Sequence, residues 1–150
     1  MNLLPILGAA CLDPFFRNEL FKDPAATLQT YNFCVDDNDL RIVKEMCSRK
    51  ELTQDFQTLQ NLICRKPPCP LPPGVLAVLG AALLDPRFRD ELFEKPVVTA
   101  NNYGFALGFT ERYLLASLVS SDAKALKEAF EEVGRKIGPL ATKLSLVRAA

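Results

Sequence analysis

The chain contains no histidine and no tryptophan, and only two methionines in 150 residues. The missing histidine excludes most. Histidine titrates near neutral pH and is the commonest general base and metal ligand. Without it there is no Ser–His or Cys–His nucleophile pair and no imidazole-held metal. Charge of one sign is also missing: 18 basic and 18 acidic residues leave a formal net charge of zero. No broad field draws the chain to nucleic acid or an anionic membrane, so neither is expected as a partner. No apolar run approaches the ~20 residues of a membrane span. None of the glycines builds a loop that resembles a phosphate cradle. The start, MNLLPILGAACLDP, is apolar but lacks a basic leading region, and it reads as mature structure rather than a signal peptide.

Cysteine is present in an odd number: Cys11, Cys34, Cys47, Cys64 and Cys69. With no signal peptide, that points to a reducing compartment, the cytoplasm. Cys64 and Cys69 form one wide pair, with Cys47 upstream, and zinc sites call for two close pairs or added histidines. Free thiols are the simpler reading of these three; a redox or zinc-responsive role is a third function they leave open. Cys11 and Cys34 fall at apolar positions and are expected in the core. No metal and no cofactor is expected. The carboxylates of Glu45, Glu51, Asp55, Glu128, Glu131 and Glu132 read as solvated helix faces. Lys124, Lys127, Arg135, Lys136, Lys143 and Arg148 make the C-terminal part basic, but no aromatics are interleaved to stack on bases.

What is present is a packed-core composition: 49% hydrophobic, 24% charged, mean hydropathy +0.07. The chain also repeats itself. LGAACLDPFFRNELFKDP returns 72 residues later as LGAALLDPRFRDELFEKP, and 17 of 33 positions from Leu3 to Val35 are identical without a gap. Duplication of a structural unit explains that; chance does not. Leu4, Leu7, Ala10 and Cys11 share a helical face, as do Leu76, Leu79, Ala82 and Leu83. Asp13-Pro14 and Asp85-Pro86 then end one helix and start another, because Asp caps free N–H groups and Pro suits the first helical position. Asp23-Pro24 repeats the device, whereas Lys95-Pro96 lacks the cap. Asn32 and Gly104 suit a left-handed turn. After it, Tyr31, Phe33 and Val35, like Tyr103, Phe105 and Leu107, are expected to plug the core.

A fourth helix is expected in each copy, capped near Asp36 to Asn38 and at Thr110. A fifth is expected over Thr53 to Cys64, and another from Ala123 to Val133, broken at Gly134. Residues 140–150 suggest a last short helix. Asp13 with Arg17, and Asp85 with Arg89, are spaced i,i+4 and read as caps with surface ion pairs; binding of an anion or a partner carboxylate is the sharper alternative. The expected architecture is all-α: two tandem homologous units of short helices packed into one compact domain. Residues 1–64 form the first unit, 65–74 a proline-rich linker, 75–121 the second unit and 122–150 C-terminal helices.

The pattern LGxAxxDPxFRxxLxxxPxxxxxxYGFxL, complete in the second copy, resembles a short helical motif of the small subunits of extradiol ring-cleaving dioxygenases, the LigA-like group. It is also similar to leader regions of some bacterial ribosomally made peptides and to the helical start of nitrile hydratase α-chains. Of these, the metal motif of nitrile hydratase has no counterpart here, and the charged C-terminus does not look like a modifiable peptide core. In LigA-like proteins the iron ligands belong to the partner subunit, and the small subunit covers that site. The resemblance therefore implies an accessory subunit with no catalytic residue of its own.

Two functions follow. The first is a non-enzymatic adaptor or accessory protein that binds another protein; a homodimer is compatible with it. The second is the small non-catalytic subunit of a heteromeric enzyme such as an extradiol dioxygenase. Val97, Val98 and Phe109 replace Ala25, Ala26 and Asp37 of the first copy, so the second copy is more apolar around its third and fourth helices. Those three residues, with Pro67, Pro68 and Pro70 of the linker, are the candidate partner-binding positions.

Overall fold

Asp13 and Asp85 set the local geometry. Asp13 accepts from the backbone N–H groups of Phe15 and Phe16 at 3.0 and 3.1 Å, and Asp85 from those of Arg87 and Phe88 at 2.9 and 3.1 Å. The proline between loses no bond, so the chain leaves one helix and enters the next without a loop. The computed structural model describes residues 3–63, 71–120 and 123–137. Among them are ten helices and no strand, so the protein is all-α. They are α1 (Leu3–Leu12), α2 (Pro14–Lys22), α3 (Pro24–Thr30), α4 (Asp37–Ser48), α5 (Leu52–Ile63), α6 (Pro73–Leu84), α7 (Pro86–Glu94), α8 (Pro96–Asn102), α9 (Phe109–Ser120) and α10 (Ala123–Ile137).

Asp23 caps α3 through the Ala26 N–H at 3.2 Å, and α8 behind Lys95 has no side-chain cap. The left-handed turns fall where expected, at Asn32 with φ 61° and Gly104 with φ 85°. Asp36 caps α4 through the Asp39 N–H at 2.7 Å. At α9 the expected Thr110 cap does not form. The helix starts two residues earlier, at Phe109, and Glu111 Oε1 accepts from the Gly108 N–H at 3.2 Å, the glutamate half of a capping box.

Two further boundaries differ from expectation. The proline linker expected over 65–74 gives way to α6 at Pro73, because proline fits the first turn of a helix as well as it fits an extended chain. Helix α10 does not break at Gly134 but runs through to Ile137. Glycine stands there for space: a Cβ would run into the Arg89 guanidinium and the Leu83 carbonyl. Residues 64–70, with Cys64, Cys69, Pro67, Pro68 and Pro70, lie outside the described residues, as do 138–150 with the expected last helix.

The core forms where α1 crosses α6 and α5 lies along α10, with α5 also packed on α1 and α10 on α6. Leu3, Ile6 and Leu7 meet Val75, Val78 and Leu79 there, beside Phe56, Leu59, Phe130 and Val133, all buried. Each such side chain contributes about 1.5–3 kcal/mol by leaving water, and α1 is covered mainly by α6, with α5 and α2 beside it. Edge-to-face rings brace the outer helices: Phe16 on Tyr31 and Phe88 on Tyr103, both at 4.9 Å, Phe21 on Phe56 at 6.3 Å and Phe93 on Phe130 at 5.9 Å.

The residues expected to plug the core instead lid it. Phe33, Val35, Phe105 and Leu107 are half-buried and Tyr31 is exposed. Cys34 is exposed rather than in the core. In extended chain successive side chains point to opposite sides, so Phe33 and Val35 turn inward and Cys34 outward.

Candidate functional site

The two Asp–Arg pairs are not surface constellations. Arg17 is only 2% exposed. Its Nη1 donates to the carbonyls of Ala10 and Cys11 at 3.0 and 3.1 Å, and its Nη2 to Gln57 Oε1 and Gln60 Oε1 at 2.8 and 2.9 Å. Arg89 donates through Nε to Ala82 O at 2.8 Å and through Nη2 to Leu83 O at 3.1 Å. The last carbonyls of a helix lack helical partners, and a cation there meets the negative end of the helix dipole. Burial lowers both guanidinium pKa values from their ordinary level, yet arginine stays charged. Asp13 and Asp85 meanwhile serve as caps. Surface ion pairing and anion capture by these arginines are therefore both corrected: the guanidiniums clamp the ends of α1 and α6.

The buried thiols are equally committed to structure. Cys11 and Cys47 are buried, and burial raises both; Cys47 is pushed up to about 12 despite the nearby Lys50. A thiol that does not ionise is a poor nucleophile or metal ligand. Among the described residues no group of three or more Cys, Asp or Glu is placed to hold a metal ion, and no helix is long and apolar enough to cross a membrane.

The candidate residues on the second half come together. α8 brings Val97 and Val98 beside the start of α9. Phe109, Arg112, Tyr113 and Ala116 share one face of α9, being three or four residues apart. Val97, Phe109, Arg112, Tyr113 and Ala116 line a shallow cavity of about 320 Å³. Phe109 is 83% exposed, Tyr113 68% and Val98 53%. Among the described residues the other exposed large apolar side chains, Phe15 at 70% and Tyr31 at 41%, lie on the first half. Leu115 and Val119, on the same helix, are buried in the core.

No known protein family, curated protein or solved structure matches the chain. Function therefore has to be read from surfaces.

Val97 and Val98 also border a second recess with Asn101, Phe105, Leu107 and Arg112, of about 190 Å³. The first half carries its counterpart: Ala25, Leu28, Gln29, Phe33, Cys34, Val35, Asp36, Asp39 and Leu40 enclose a groove of about 650 Å³. Alanine at position 25, where the second half has Val97, leaves that groove wider. Tyr113 escaped the sequence reading, although its i,i+4 spacing from Phe109 was the signal that would have found it.

Proposed function

We propose that the chain is a non-enzymatic helical protein that binds another protein through the α8–α9 face. The observation that carries this reading is the pair Phe109 and Tyr113, two large exposed rings that line one cavity with Val97, while Val98 stands exposed on the neighbouring helix. Leaving such groups in water costs roughly 1.5–3 kcal/mol each relative to burial, and exposed apolar clusters mark interaction sites. Tyrosine and arginine are the residue types that anchor interfaces, and Tyr113 and Arg112 both line the cavity beside Phe109. The fitting partner offers an apolar recess for the two rings and a carboxylate for Arg112.

We read the two halves as copies of one ancestral unit, in which the second has acquired apolar residues where the first keeps Ala25, Ala26 and Asp37. The resemblance of the repeated motif to LigA-like small subunits suggests a second form of the same reading, in which the partner is the metal-bearing subunit of an enzyme. A photo-crosslinking residue at position 109, used in the native host, tests both. A single stoichiometric partner, lost in Tyr113→Asp, supports the reading, and bound metal in that partner selects the accessory-subunit form. Crosslinks no more specific than those from exposed Lys44 on α4 would overturn it.

A further inference from the structure

The two halves differ in opposite senses at the same register. Across the offset of 72, Phe109, Arg112 and Tyr113 of α9 stand where α4 has Asp37, Leu40 and Arg41, and Val97 stands where α3 has Ala25. On the second half these residues raise a ridge. Phe109 is one helical turn from Tyr113, Arg112 lies between them in sequence, and all three are exposed. On the first half there is a groove of about 650 Å³, where the second half keeps a recess of about 190 Å³. The floor of the groove is apolar, made by Leu28, Phe33, Val35 and Leu40, and its rim carries Asp36 and Asp39.

The ridge and the groove are complementary in charge as well as in shape. Among the described residues no ion pair takes Arg112, Asp36, Asp37 or Asp39. Arg41, the cation closest to the rim in sequence, is turned to Glu45 at 3.4 Å and Asn38 at 3.0 Å. Asp39 is buried, and burial together with Asp36 holds its carboxyl above the usual range, so positive charge brought to the rim stabilises it. Phe109 and Tyr113 stay exposed in the single chain, so a chain does not fill its own groove with its own rings. A formal net charge of zero leaves no overall repulsion between copies.

We propose that the α8–α9 ridge of one copy docks in the α3–α4 groove of a second copy, with the rings of Phe109 and Tyr113 on the apolar floor and Arg112 against Asp36 and Asp39. This names the partner of the α8–α9 face and rests on the reading given above. The contact is head-to-tail, so each added copy leaves one ridge and one groove open, and assembly ends only if the rotation closes a ring.

Two variants at exposed positions test it. Phe109→Asp removes a ring from the ridge, and Ala25→Arg blocks the groove with a bulky cation. In sedimentation of the purified chain at roughly 100 μM, where contacts of micromolar affinity are populated, the unaltered protein should exceed monomer mass. Each variant alone should associate roughly tenfold more weakly. Mixed in equal amounts, the two should form a one-to-one dimer and nothing larger, because the ridge of Ala25→Arg meets the groove of Phe109→Asp. An Ala25→Arg chain that associates like the unaltered one would overturn the proposal, since the ridge would then meet another ridge. Should either variant unfold, a photo-crosslinking residue at position 109 decides, in a mixture of isotopically light and heavy chains. It should join residues 25–40 of the other copy, and crosslinks confined to other segments would overturn the proposal. A purified chain that stays monomeric, while position 109 still captures one partner in the host, would overturn this inference alone and leave the proposed function standing.

Discussion

Gly8 lies against the main chain of Leu76, so close that a Cβ on it would overlap the Leu76 carbonyl oxygen. Gly80 meets the carbonyl of Leu4 in the same way. The two contacts are reciprocal. Alanine at position 8 would gain about 1 kcal/mol of helix propensity. It would also force α1 and α6 apart, and overpacking of a core costs typically 1–3 kcal/mol or more. Here the obstruction is backbone, which cannot swing aside. Gly8→Ala and Gly80→Ala should each lower Tm by several degrees in thermal denaturation, while Gly108→Ala, where only the Glu111 carboxylate lies near at 3.5 Å, should not. An unchanged Tm in Gly8→Ala would mean that α1 and α6 do not cross at these glycines.

Arg17 and Arg87 differ sharply despite their common charge. Removing Arg17 strands two helix-end carbonyls and two glutamine oxygens inside the core, at about 1–3 kcal/mol for an unsatisfied buried group. Arg17→Met should cost about 3–5 kcal/mol in chemical denaturation. Arg87 pairs with Glu91 at 4.0 Å on the surface, so Arg87→Ala should change stability by less than about 0.5 kcal/mol. Comparable losses in the two variants would contradict the clamp role.

The thiols should separate by burial. Alkylation under native conditions should modify Cys34 and leave Cys11 and Cys47 untouched until denaturant is added. The same burial makes stability depend on alkaline pH. The unfolded thiol has an ordinary value of 9.0 and the folded Cys47 one of about 12, so folding keeps a proton that the unfolded chain gives up. That stabilisation is complete below pH 9.0 and falls as pH rises from there toward 12. Denaturation midpoints measured along that range should decline, and less steeply in Cys47→Ala.

Phe109 and Tyr113 should matter for binding and not for folding. Both side chains are exposed, whereas Leu115 and Val119 on the same helix are buried. Phe109→Asp should leave stability within about 0.5 kcal/mol and abolish partner capture. Loss of folding instead would place Phe109 in the core.

Much of the local structure is legible in the order of residues. Asp-Pro pairs cap and start helices through atoms one to three residues away, and a left-handed turn at Asn32 or Gly104 needs only the right residue at one position. The all-α class and the junctions at residues 13, 23 and 85 follow from such short-range chemistry. The convergence of Val97, Val98 and Phe109 was legible too, because their difference from Ala25, Ala26 and Asp37 marks one surface.

The partners of Arg17 were not legible, nor was the reason for Gly134. A constant offset of 72 pairs Phe56 with Glu128. The structure pairs Phe56 with Phe130, each packed edge-on against the phenylalanine of α2 or α7. That two-residue shift sets Gln57 against Glu131 and Gln60 against Gly134, where the two arginines arrive. Sequence by itself determined where this chain turns, which segments coil and which surfaces differ in polarity, because those depend on neighbours along the chain. Only the tertiary structure decided that Arg17 and Arg89 are buried clamps, that Gly8 and Gly80 are points of helix contact and that Cys34 faces a groove. Arg17 meets glutamines 40 and 43 positions on, and Gly8 and Gly80 meet main chain of the other central helix, so only the packing of helices distant in sequence could set those contacts.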